Sequence, residues 1–124
     1  MTDALLARLT LAAIFIYHGL VPKLLVLSPT ELRMIDAHGL PHDMAALAGA
    51  AEILLGLALA LLRKQRWPLW TALLALGALL VDVALFTPDL LLEAFNPLTT
   101  NLAAMALCVI ALRASRERTA DRGT

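Results

Sequence analysis

Apolar positions fall into four long runs, residues 5–27, 44–62, 67–87 and 98–112, separated by short polar stretches. The most uniform run, AALAGAAEILLGLALALL from Ala45 to Leu62, holds one charge, Glu52. As an α-helix it would be ~27 Å long, about the thickness of a bilayer's hydrocarbon core. The pattern predicts an all-α, integral membrane four-helix bundle, a single domain over residues 1–124.

The polar residues punctuate these runs. The first carries Tyr17, His18, Gly19, Pro22 and Lys23 toward its far end. Pro22 lacks a backbone donor and crowds the carbonyl of His18, so a kink or an early end is expected there. In the following SPTELRMIDAHGLPHD, Ser28 is placed as N-cap, Pro29 at the first helical position and Glu31 at the capping-box site, with Gly39 as the stop. This predicts a short amphipathic helix over 29–38, lying on the membrane surface with Leu32 and Ile35 facing down. Trp67 and Trp70 read as interfacial anchors of the third run, which holds Asp82 in its later third. The stretch FTPDLLLEAFNPLTTN should form an amphipathic surface turn, and the tail ASRERTADRGT should fray.

Composition agrees with a membrane domain. Of 124 residues 60% are apolar and 16% charged, with mean hydropathy +0.80; a soluble domain is nearer 45–50% and 25%. Net charge is zero, which argues against nucleic acid as a partner. The single cysteine, Cys108, permits no internal disulfide or C-x-x-C pair, excluding a self-contained thiol–disulfide catalyst, and it reads as inert packing. No strongly basic region opens the chain and no A-x-A site follows the first run, so that segment is expected to be retained. Eight of the ten basic residues (Arg8, Arg63, Lys64, Arg66, Arg113, Arg116, Arg118 and Arg122) belong to the N-terminus, the central turn and the tail. Lys23 and Arg33 alone serve the other loops. Basic loops stay cytoplasmic, so both termini are expected inside.

An ionised acid facing lipid costs several kcal/mol, so Glu52 should turn inward. It lies nine residues after Asp43, ~13 Å from the outer end of its helix, and Asp82 lies ~9 Å below the same surface. His18 and Asn101 fall at similar depth. The four residues, one per helix, are expected to share an outer-half pocket, with Lys23 beside them. Ala45, Ala48, Gly49, Glu52, Gly56 and Ala60 share one face of the second helix, and Ala75, Ala78 and Asp82 one face of the third. Ala104 and Cys108 share a face with Asn101 on the fourth. Small residues let membrane helices approach closely, so these stripes should be the packed faces and the leucines should meet lipid.

Plainer roles compete at each position. Glu52 with His18 or Lys23 reads equally as a structural ion pair; Asp82 suits a solvated crevice, Asn101 interhelical bonding, and Lys23 snorkelling. His38 and His42 have helical metal-ligand spacing, but Gly39 and Pro41 break the helix between them, so no metal is expected.

The segments IYHGLVPKLL at 16–25, AGAAEILLGL at 48–57 and FNPLTTNLAAMAL at 95–107 resemble the DoxX-like family. These are small four-helix membrane proteins, mostly bacterial, related to DoxX and to the quinone-reducing DoxD subunits. His18, Pro22, Lys23, Glu52, Asn96, Pro97 and Asn101 match its recurring positions, with Gly19 and Pro22 in the first motif and Asn96 and Pro97 in the last. The resemblance implies an inner-membrane location and an association with redox chemistry, often with quinone or thiosulfate oxidation, but transfers no catalytic triad or cofactor motif. No haem, flavin or iron–sulfur motif is visible, so electrons would come from a partner or a soluble donor. Three functions follow: a redox-linked, quinone-binding subunit; a non-catalytic carrier of a small lipophilic or anionic molecule; or an assembly partner of another membrane protein or of a second copy. The family likeness ranks the first highest.

Overall fold

In the computed structural model, which describes residues 1–121, all regular structure among the described residues is helical. The elements are α1 (Asp3–Leu20), a π turn (Val21–Leu25), α2 (Pro29–Ala37), α3 (Met44–Leu61), α4 (Trp67–Phe86), a 3₁₀ turn (Pro88–Leu92) and α5 (Pro97–Asp121). Among the described residues four helices are long and apolar enough to cross a membrane: α1 with its π turn, α3, α4 and α5. Arg122 and the side chain of Arg118, both counted in the charge asymmetry, lie outside what is described.

Three local expectations are modified. Pro22 does not end the first helix; the chain widens into a π turn closed by Val26 N–H donating to Val21 O at 3.0 Å. Without a proline N–H, the His18 carbonyl loses its usual partner, and Lys23 Nζ donates to it at 3.4 Å instead. Second, the capping box around α2 is only half formed. Ser28 Oγ accepts from Glu31 N–H at 3.2 Å, but the Glu31 carboxylate turns to Lys23. Third, the tail does not fray after Leu112: α5 continues to Asp121, through alanine, arginine and glutamate, all good helix formers.

The helices form an open ring. α1 lies against α3 along much of its length and also against α5; α5 packs on α4, while α3 and α4 meet sparsely. Glycine explains the tight α1–α3 crossing. A Cβ added at Gly19 would sit 2.4 Å from Gly49 O, and one at Gly49 would sit 2.6 Å from Gly19 O. One at Gly56 would meet Ile16 Cγ1 at 2.7 Å and Ala12 O at 2.9 Å. Backbone therefore touches backbone, the approach small residues permit between membrane helices. The buried stripe of α3 is Ala45, Gly49, Gly56 and Leu59; Ala48, one position off this i, i+4, i+7 track, is exposed.

On α4 the small stripe is not the packed face. Ala75 and Ala78 are exposed, and Leu69, Ala72, Leu76 and Val83 are buried. The difference lies in α5, whose small Ala104, Cys108 and Ala111 are buried and leave room for the larger side chains of α4. The continuous apolar core runs from Ala7 through Phe15 on α1 to Leu59, Leu69, Leu76 and Leu112, toward the end of the bundle that carries the chain termini. Leu47, Leu54, Leu61, Leu74 and Leu85 project outward, as helices in contact with acyl chains require.

Candidate functional site

Beyond that core the four helices part around a half-open concavity, with Phe15 and Leu76 at the boundary. All four long helices line a cavity of about 640 Å³, within the ~300–1,000 Å³ usual for small-molecule sites. Its walls are mainly apolar: Ile14 and Phe15 from α1, Leu55 from α3, Leu76 and Leu79 from α4. His18, Glu52 and Asn101 bring polar atoms to it from three different helices, joined by Thr71 and Thr100.

Each polar group is placed by a local feature. His18 lies one residue before Gly19, so the α1–α3 backbone contact brings it beside the turn of α3 bearing Glu52. Asn101 is fixed from α5, where its Nδ2 donates to the Leu76 carbonyl of α4 at 3.4 Å. The start of α5 is set by Asn96, which precedes Pro97: Asn96 Oδ1 accepts from Thr99 N–H at 3.0 Å and its Nδ2 donates to Glu93 O at 2.9 Å. The FNPLTTN segment is thus a capped helix start that delivers Asn101 one turn inside.

Lys23 is the hinge of the electrostatics. The π turn aims its Nζ between two carboxylates, 2.9 Å from Glu31 Oε1 and 3.1 Å from Glu52 Oε2. The contact with Glu52 is an ion-pair distance without hydrogen-bond geometry, so Oε2 is buried with a charge beside it and no hydrogen bond. Glu52, Lys23 and Glu31 form a connected line from the cavity wall to the short helix α2. Glu31, read from sequence as a cap, is a site neighbour that the reading missed, because α2 had to be folded over α3 before the two acids could share one lysine.

Asp82 does not join the cavity lining. It shares a helical face with Ala75 and Leu79, which do line it, but its Oδ1 lies 2.8 Å from His38 Nε2 at the end of α2. The ring of His38 also packs against Phe86 at 4.2 Å between centroids, and its Nδ1 donates to Met34 O at 2.7 Å. The backbone carbonyl of Met34 and then the Asp82 carboxylate raise the His38 pKa above the usual imidazole value. His42 sits apart, 2.8 Å from Asp36. Cys108 is a free, buried thiol in the α4–α5 packing.

Arg33 of α2 pairs with Asp89 of the 3₁₀ turn, which pulls the Asp89 carboxyl below its ordinary range. Two ion pairs and the His38–Asp82 hydrogen bond therefore strap α2 across the bundle end: to the π turn, to the turn after α4, and to α4. The strapped helix touches both α3 and α4, which meet each other sparsely.

A family model described as the DoxX-like family matches residues 12–109, a stretch that includes all four cavity walls. The chain belongs to the DoxX-like family. As a member of it with four apolar helices of spanning length, it is a multi-pass membrane protein in contact with lipid. No curated protein and no solved structure matches it. The HGLVPKL and FNPLTTN segments that carry the likeness are the two turns that place Lys23, His18 and Asn101 in this DoxX-like protein.

Proposed function

We propose that the protein is a redox-linked subunit of a bacterial inner membrane, with both termini cytoplasmic, whose cavity binds a quinone or a similar ring-bearing lipophilic molecule. One observation carries this reading: an apolar cavity of about 640 Å³ in which His18, Glu52 and Asn101 converge. A quinone is a flat apolar ring with a carbonyl oxygen at each end. It needs apolar walls and a few hydrogen-bond donors, which is what this lining offers. The sparse α3–α4 seam gives an isoprenoid tail a way out into the bilayer.

Reducing a quinone to a quinol takes up two electrons and two protons. Glu52, when protonated, gives one proton to a carbonyl oxygen of the ring, and His18 relays the second from the outer surface. The Lys23–Glu31 line connects Glu52 to the surface for proton replacement. Electrons are supplied by a donor protein. Glu52→Gln and His18→Ala in membranes, followed by quinone reduction, test this. A general acid contributes ~100-fold or more to rate, and losses of that order are expected. Unchanged reduction at unchanged protein level would remove the reading.

A further inference from the structure

A second concavity lies at the opposite end of the bundle, between α4 and α5. The two helices run antiparallel, and matching stripes face each other: the N-cap residue Arg66 with Trp70 and Leu73 of α4, at i, i+4, i+7, and Val109, Arg113 and Arg116 on α5. Three guanidinium groups therefore border one pocket of about 170 Å³, with no carboxylate among the residues lining it. That volume is several times the ~30 Å³ of one water, enough for a phosphate ester. None of the three arginines forms an ion pair among the described residues, whereas Arg33 pairs with Asp89 and Lys23 with Glu31 and Glu52.

The depth is that of lipid headgroups. Arg66 immediately precedes the first residue of a membrane-spanning helix, and Arg113 and Arg116 lie in the last turns of another. Trp70, half-exposed, stands where tryptophan commonly anchors at the interface. Below the arginines the pocket wall turns apolar, through Leu73, Val109 and Leu112. A positive rim over an apolar slot that continues into the bilayer matches one chemistry: a phosphate diester carried on acyl chains.

We propose that this pocket is a binding site for an anionic glycerophospholipid, its phosphate held by Arg66, Arg113 and Arg116 and its first acyl carbons against Leu73 and Val109. Guanidinium groups suit this task because their planar donors pair two at a time with phosphate oxygens. The lipid staples α4 to α5 at the end where the chain termini emerge. The proposal stands apart from the quinone reading, since no residue is shared between the two cavities.

The test is native mass spectrometry of the full chain in detergent, titrated with phosphatidylglycerol or with phosphatidylcholine of the same chains. Phosphatidylglycerol is expected to be retained and phosphatidylcholine not. Each guanidinium that bonds the phosphate directly is worth about tenfold or more in affinity, so Arg113→Gln/Arg116→Gln should bind roughly 100-fold more weakly. Arg63→Gln/Lys64→Gln removes the same charge from the adjoining turn, outside the pocket, and should bind as the unaltered chain does. Equal retention of the two lipids, equal loss in both double variants, or displacement of phosphatidylglycerol by millimolar inorganic phosphate would each overturn the proposal. Should the arginine variant fail to fold, Trp67→Phe leaves Trp70 as the one tryptophan. Brominated phosphatidylglycerol should then quench its fluorescence more than brominated phosphatidylcholine at equal mole fraction; equal quenching would contradict the site.

Discussion

Two sites show how much of this fold rests on single atoms. Gly19 and Gly49 present backbone to backbone, and a methyl on either would press on a carbonyl oxygen rather than on a movable side chain. Gly19→Ala is therefore expected to destabilise by ~1–3 kcal/mol through overpacking. Gly77, whose added Cβ would have Met105 Cε at 3.7 Å as its nearest neighbour, is the contrast: Gly77→Ala should be neutral or stabilising by up to ~1 kcal/mol. Thermal unfolding of both in one detergent checks the pair. Arg8 is the other case. It is 3% exposed, and its guanidinium donates to Leu59 O at 3.2 Å, Leu62 O at 3.3 Å and Gln65 O, closing the carbonyl end of α3. Arg8→Met should lower stability by about 3 kcal/mol, because buried carbonyls lose a charged donor. Unfolding in the same detergent measures it, and Arg8→Lys should recover only part, lacking the planar fork. From sequence Arg8 was only one of eight basic residues on one side. Its phase with Ala4, Ala7, Leu11, Ala12 and Phe15 carried the missing signal, since that face became the core.

At the scale of elements, α2 is the part whose role was least legible. Its existence and N-cap were readable from Ser28, Pro29 and Glu31, because capping is local. What it straps together was not, because Asp82 and Asp89 are distant in the chain and meet His38 and Arg33 only after α4 has folded back. The same limit explains Asp82. Its helical depth was readable, but depth leaves azimuth and partner open, and the partner Asp82 takes is His38 at the end of α2. The strap should respond to pH. With its folded pKa raised, His38 contributes stability fully present below its unfolded value near 6.5 and lost as pH rises through the folded one. Hydrogen exchange of α2 amides, corrected for intrinsic rates, should therefore speed up as pH rises through neutrality. In Asp82→Asn that dependence should be smaller, since one of the two groups favouring the charged ring is gone. Protection that is flat across this range in the unaltered chain would contradict the strap.

For the whole molecule, two halves differ in what holds them. The half near the termini is packed by apolar side chains, and the half under α2 is held by ion pairs, backbone contact at glycine and a capped helix start. The four-helix plan was legible because run length alone encodes it. The asymmetry was not, because it depends on which faces of α4 and α5 meet. Charge asymmetry also implies an orientation that can be measured. With Cys108 replaced by alanine, Ala37→Cys should react with a membrane-impermeant maleimide added to intact spheroplasts, and Ala120→Cys should react only after lysis. The reverse pattern would invert the assignment.

The most direct measurement of the central claim is photolabelling of native membranes with an azido-quinone, followed by peptide mapping. Label is expected on the stretches around residues 14–18, 51–55 and 75–79, competed away by excess unlabelled quinone. Ala75→Phe, which fills the cavity from an exposed position on α4, should abolish it while leaving protein level unchanged. Label spread over the lipid-facing leucines, or label indifferent to competitor and to Ala75→Phe, would contradict a quinone site between these helices.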